Sequence, residues 1–104
     1  MDTDQNPFDH SGLDDAIHSR LRLGIMAYLH SVSPATFQEL KAKVQTTDGN
    51  LSAQLRKLED SGYVAIEKTY AGRRPLTRAS LTGDGRTAWA AYLDKLRALL
   101  EAAE

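Results

Sequence analysis

The 104-residue sequence predicts an α+β fold, mainly α with one small β-hairpin, built as a single domain. Three observations carry this expectation. Apolar residues recur at spacings of three or four over most of the chain, each run preceded by a Ser- or Thr-led helix start. The period changes to two after Gly62 and returns to a helical one after Gly85. The length suits one hydrophobic core, and 41% hydrophobic with 26% charged residues is the composition of a folded globular chain, which excludes disordered and fibrous classes.

Residues 1–10, MDTDQNPFDH, lack apolar periodicity and carry Pro7, so they are expected to form a flexible acidic arm, with 11–104 as the domain. The first helix is predicted to start at Ser11, where Ser-Gly-Leu-Asp has the spacing of an N-cap with an acid three residues on. Leu13, Ile17, Leu21, Ile25, Tyr28 and Leu29 then make one stripe that ends near Pro34. Thr36-Phe37-Gln38-Glu39 is a capping box that opens a short helix with Phe37, Leu40 and Val44 inward, broken by Gln45-Thr46-Thr47. Thr47 or Asp48 caps a third helix, 48–61, in which Leu51, Leu55 and Leu58 face the core and Ser61-Gly62 provides a left-handed stop. Tyr63 to Tyr70 and Leu76 to Leu81 read as two strands. The turn between them, Ala71-Gly72-Arg73-Arg74-Pro75, carries adjacent arginines that no core can use. A fourth helix follows Thr82-Gly83-Asp84-Gly85 and runs to about Ala102. Its stripe of Trp89, Tyr92, Leu93, Leu96, Leu99 and Leu100 is wider than a lone surface helix needs. Packing within one chain would use Trp89, Leu93 and Leu96 and leave Tyr92 or Leu99 exposed.

Several chemistries are excluded at this stage. No apolar run approaches the roughly 18 residues that cross a bilayer, and the N-terminus is acidic where a signal peptide is basic, so no membrane partner and a cytoplasmic location are expected. The lack of cysteine rules out disulfides, a thiolate zinc site, a cysteine nucleophile and thiol redox sensing. Of the histidines His10, His18 and His30, His18 lies at i, i+4 from Asp14 on the first helix, a spacing that can hold a metal. A helix-surface carboxylate and imidazole pair is the commoner meaning, and no metal or other cofactor is predicted. Gly83-Asp84-Gly85 lacks the Lys-Ser of a phosphate loop, and Ser, His and Asp occur in no triad spacing. A domain this small also offers little cleft, so no catalytic residue and no enzymatic activity are predicted.

The net charge of -1 hides an uneven distribution. Asp2, Asp4, Asp9, Asp14 and Asp15 stand near the N-terminus without a lysine or arginine before Arg20, whereas Lys68, Arg73, Arg74 and Arg78 cluster on the hairpin. A local basic stripe is what phosphates feel. The element order, a helix, two helices joined by a short turn and then a hairpin, is that of a winged helix-turn-helix. Projected at about 100° per residue, the third helix turns Gly49, Ala53 and Arg56 away from Leu51, Leu55 and Leu58, flanked by Asn50, Ser52 and Lys57. Small residues let a helix approach the floor of a major groove, while Asn and Arg can pair with base edges. The hairpin follows this helix directly, as a wing must if it is to straddle the neighbouring backbone. Any surface helix shows a polar face, but the pair of features together favours DNA.

The stretch TTDGNLSAQLRKLEDSGYVAIEKTYAGRRPLTRASLTGDGRTAWAAYLDKL resembles the small single-domain prokaryotic winged-helix transcriptional regulators, close to the MarR and ArsR groups. The recognition segment stands as Thr47 to Val64, the wing motif as Gly72-Arg73-Arg74-Pro75, and the start of the last helix as Leu81-Thr82-Gly83-Asp84-Gly85-Arg86. The resemblance implies a homodimer whose first and last helices meet across a two-fold axis through Leu13, Ile17, Trp89, Tyr92, Leu93, Leu96, Leu99 and Leu100. It also implies double-stranded DNA as partner, a pseudo-palindromic operator, with helix 48–61 in the major groove and wing 71–75 on the backbone or minor groove. Thr47, Asn50, Ser52, Ala53 and Arg56 are the candidates for base or groove contact; Thr36, Gln54, Lys57, Arg73 and Arg74 are those for phosphate or the minor groove, with Lys68 and Arg78 as second choices. An unidentified small-molecule effector would sit between the first and last helices, near Tyr28, Trp89 and Tyr92, aromatics more often found in a core. Two other readings stand beside this one: a winged-helix adaptor that binds protein through the third helix or wing, and a nonspecific chromosome-coating protein, which should be more basic.

Overall fold

The computed structural model describes residues 8–103, and the first seven residues of the expected acidic arm lie outside them. The chain forms α1 (Arg20–Ser31), β1 (Ala35–Thr36), α2 (Phe37–Val44), α3 (Asp48–Asp60), β2 (Val64–Ala71), β3 (Arg74–Leu81) and α4 (Gly83–Ala102). The strands make one antiparallel sheet in the order β1-β3-β2.

The first helix starts at Arg20, not at Ser11. Residues 11–18 are turns, because Asp14, the expected N3 acid, spends its carboxylate elsewhere: Oδ1 accepts from the Ala16 N–H at 2.9 Å and Oδ2 from the Tyr63 hydroxyl at 2.5 Å. Asp14 and His18 therefore do not pair through their side chains. His18 Nδ1 instead lies 2.8 Å from the Tyr92 hydroxyl. Arg22 holds the same turns from the other side. Its guanidinium donates to the carbonyls of Ala16 and Asp15 at 2.6 and 3.2 Å, and to Gln54 Oε1 at 2.6 Å.

The other helix ends follow from the sequence. Thr36 Oγ1 accepts from the Glu39 N–H at 3.0 Å while Glu39 accepts from the Thr36 N–H at 3.4 Å, the reciprocal capping box expected. Thr47 caps α3 and Thr82 caps α4, each through its hydroxyl oxygen, and a cap of this kind contributes about 1 kcal/mol. α3 ends in a Schellman motif: the Tyr63 N–H donates to Leu58 O, the Gly62 N–H donates to Glu59 O, and Gly62 takes the required positive φ of 83°.

Two further boundaries differ from expectation. The loop of the hairpin is only Gly72-Arg73, since Ala71 already pairs with Arg74; Gly72, at φ 64°, occupies the first central position of a type II′ turn. Arg74 thus belongs to β3. The sheet also gains β1, whose Ala35 and Thr36 pair with Ala79 and Arg78.

The core is drawn from every element: Ile25, Met26 and Leu29 of α1, Leu40 of α2, Leu51, Leu55 and Leu58 of α3, Val64, Ala79 and Leu81 of the sheet, and Trp89 and Tyr92 of α4, with Ile17 from the turns. Tyr92 is 3% exposed and stacks on Trp89 with ring centroids 6.0 Å apart, and Leu99 is half-buried, so the expectation that single-chain packing would leave Tyr92 or Leu99 exposed fails for Tyr92. It fails because His18 and the turns before α1 cover the ring. Gly85 lets α4 pack closely on the residue that leads into β2: a Cβ there would lie 2.2 Å from Tyr63 O. Among the described residues no helix is long and apolar enough to cross a membrane.

Candidate nucleic-acid interface

α2, the turn and α3 are joined through Gln45, which takes the left-handed conformation at φ 54°, and the Thr46 N–H donates back to Lys41 O. With Leu51, Leu55 and Leu58 held in the core, helical geometry points Asn50, Ser52, Ala53, Arg56 and Lys57 outward, and all five are exposed, as is Thr47 at the start of the helix. The exposed surface of α3 contains no large apolar side chain. Asp48, the acid nearest the helix start, is matched by Lys41 Nζ at 2.8 Å.

On the hairpin, Arg73 stands in the two-residue turn and Arg74 next to it, both exposed. Arg56, Lys57, Lys68, Arg73 and Arg74 make no ion pair among the described residues, whereas Arg78 is bonded to Glu67 at 2.9 Å across the strands. α3 and the hairpin thus hold five cations without an ion pair against the exposed Glu59 and Asp60 of α3, while Arg20, Lys43, Arg86 and Lys95 elsewhere also have none among the described residues. This local excess is what an anionic polymer would meet.

Two expected phosphate contacts sit differently. Gln54 lies at the edge of the buried stripe of α3, half-buried, and its carbonyl oxygen is occupied by Arg22. Thr36 is half-buried with its hydroxyl oxygen committed to the α2 cap. Arg22 is the residue that sequence reasoning missed. Its only signal was a cation beside the apolar stripe of α1, and it couples the turns before α1 to α3.

The three aromatics expected near an effector groove, Tyr28, Trp89 and Tyr92, serve two different places in the fold. The Tyr28 hydroxyl donates a hydrogen bond to Glu39, which ties α1 to the first turn of α2 and raises the Tyr28 pKa above its ordinary value. Trp89 and Tyr92 are stacked in the core instead, and burial raises the Tyr92 pKa. Ile17, Trp89 and Tyr92, expected at a dimer interface, are almost wholly buried by the chain's own packing. Leu13, Leu93, Leu96 and Leu99 are half-buried, and Leu100 is 61% exposed. Among the described residues no group of three or more His, Asp or Glu side chains is placed to hold a metal.

The sequence model of the winged helix DNA-binding domain matches residues 21–100, which spans α1 through most of α4. The chain belongs to that family. An uncharacterized protein of Methanocaldococcus jannaschii is 37% identical to this winged helix over 76 residues, 73% of this chain and 83% of that one. The transcriptional regulator homologue of Pyrococcus horikoshii OT3 superposes with a TM-score of 0.81 at 30% identity, covering 86% of this chain and 88% of that one. A MarR-family transcriptional regulator of Silicibacter pomeroyi superposes with a TM-score of 0.65 at 22% identity, over 82% of this chain and 56% of that longer one. The fold is thus that of small winged-helix transcriptional regulators of the MarR and ArsR type. In these terms α2 and α3 are the helix-turn-helix and the β2–β3 hairpin is the wing.

Proposed function

We propose that this winged helix is a sequence-specific transcriptional regulator that binds double-stranded DNA as a homodimer. α3 enters the major groove of each half of a pseudo-palindromic operator, and the wing meets the flanking backbone or minor groove. One observation carries the reading: the unpaired cations Arg56, Lys57, Arg73 and Arg74 stand on α3 and the wing tip, where they outnumber the unpaired acids Glu59 and Asp60 of α3, while Asp48 and Glu67 are bonded to Lys41 and Arg78. Asn50, Ser52, Ala53 and Arg56, with Thr47, meet base edges or the groove floor. Lys57, Arg73 and Arg74 hold phosphates, with Thr36 and Gln54 beside them at the margin.

Dimerisation is assigned to Leu13 and to the second half of α4, where Leu93, Leu96, Leu99 and Leu100 keep apolar surface in water. Ile17, Trp89 and Tyr92 support that surface from behind.

The test is fluorescence anisotropy against labelled duplex from upstream of the protein's own gene, with scrambled duplex as competitor, over a salt series. Three phosphates neutralised per protomer would give a log-log salt slope of about −5 for the dimer. Tight binding that survives the competitor is the expected result. Equal binding to both duplexes would favour a coating protein, and no binding at low salt would favour the protein-binding adaptor.

A further inference from the structure

The strand register decides which side of the wing turns toward α3. Ile66 opposite Ala79, Lys68 opposite Thr77 and Tyr70 opposite Pro75 share one side; Glu67 opposite Arg78 and Ala71 opposite Arg74 share the other. Ile66, Lys68 and Thr77 line a cleft together with Ser52, Leu55 and Arg56 of α3. Carried outward along the same side, the next pair is Tyr70 and Pro75, and Tyr70 is 70% exposed.

An aromatic ring left this far in water is unusual beside three cations, Lys68, Arg73 and Arg74, that have no ion-pair partner among the described residues. A partner that covers both must be apolar and anionic at short intervals. The sugar-phosphate backbone of DNA has that alternation, with an apolar deoxyribose edge between phosphates. We propose that Tyr70 and Pro75 form an apolar pad that packs on deoxyribose at the minor-groove edge, with Lys68 on the adjacent phosphate. Glu67 and Arg78, on the other side and nearer the base of the wing, face away from DNA, while Arg74, on that side at the hairpin tip, reaches round to the flanking phosphate. This deepens the DNA-binding reading and rests on it.

The experiment is the anisotropy salt series on the operator with wild type, Tyr70→Ser, Tyr70→Phe, Lys68→Ala and Arg78→Gln, each checked for an unchanged melting temperature. Tyr70→Ser is expected to weaken binding about tenfold per protomer, the effect of losing roughly 60 Å² of buried apolar surface at each wing, with the salt slope unchanged. Tyr70→Phe keeps wild-type affinity. Lys68→Ala lowers the slope by about 0.9 per protomer, and Arg78→Gln leaves both slope and affinity within twofold. Wild-type affinity in Tyr70→Ser, or a slope change in Arg78→Gln equal to that in Lys68→Ala, would overturn the assignment while leaving DNA binding intact. Failure of the wild type to bind any duplex would overturn the DNA reading and this one with it.

Discussion

Helices α3 and α4 are both amphipathic, and what they leave outside differs in kind. α3 hides Leu51, Leu55 and Leu58 and presents Asn50, Ser52, Arg56 and Lys57; α4 hides Gly85, Trp89 and Tyr92 in its first half and in its second leaves Leu93, Leu96 and Leu99 half-buried and Leu100 exposed. The difference teaches that burial of the core stripe does not by itself say what a helix is for. The chemistry of the residue left in water does: a cationic polar face gains from phosphate, whereas an apolar face gains from another protein surface.

The sharpest break in this comparison comes from the same substitution made in each helix. Gly85→Ala forces a Cβ into the Tyr63 carbonyl and the Leu81 side chain, at 2.2 and 2.9 Å, and is expected to cost about 3 kcal/mol of stability in urea denaturation. A loss under about 1 kcal/mol would mean that α4 is free to shift against the sheet.

Next in size is the double substitution Leu96→Ser with Leu100→Ser. Sedimentation equilibrium should show association weakened by about 2 kcal/mol or more, because both side chains would exchange interface for water. The far-ultraviolet circular dichroism spectrum should stay that of the wild type.

On α3, Arg56→Ala is expected to reduce discrimination between operator and scrambled duplex by about 1–3 kcal/mol. Arg73→Ala should weaken binding to both alike and flatten the salt slope. Identical behaviour of the two variants would remove the division of labour between helix and wing.

A smaller effect separates the turns before α1 from the rest. The Tyr63 hydroxyl donates to Asp14, and this bond, with burial behind it, pushes its pKa up to about 12. The bond contributes fully below the ordinary tyrosine value of about 10 and is lost as pH rises through about 12. Over that window the wild type should lose about 1 kcal/mol more than Tyr63→Phe, a figure kept small because the ring is only half-buried. Equal loss in both proteins would show that the bond does not hold the turns in place. Smallest of all, Gly49→Ala on α3, where a Cβ meets nothing within 4 Å, should raise stability by about 0.5 kcal/mol in the same urea assay that penalises Gly85→Ala.

The parts of the fold that could be read in advance are those whose signals are local. Thr36 with Glu39, Thr47 before Asn50, and Gly62 after Ser61 each mark a helix end by a bond within a few residues, and all three stand where they were expected. The start of α1 could not be read in this way. Ser11 with Asp14 imitates a capping box, but the Asp14 carboxylate bonds to Tyr63, 49 positions away, and Ser19, the actual N-cap, makes no side-chain bond that a pattern could reveal. β1 is two residues long, too short for any alternation to register, and exists only because β3 lies beside it. In the candidate interface, the outward residues of α3 followed from periodicity. The commitment of Gln54 to Arg22 and the facing of Lys68 and Tyr70 depended on tertiary neighbours.

Thr36 is at once the last residue of β1, paired with Arg78 of the wing, and the N-cap of α2. Its backbone and hydroxyl therefore tie the wing to the helix-turn-helix, opposite the direct join of α3 to β2, like the pivot of a caliper. If a duplex is gripped by both jaws, as proposed, it would have to present a groove of the matching width, or be deformed to it at its own elastic cost. Operator positions that no side chain touches would then be selected by how cheaply they narrow or bend.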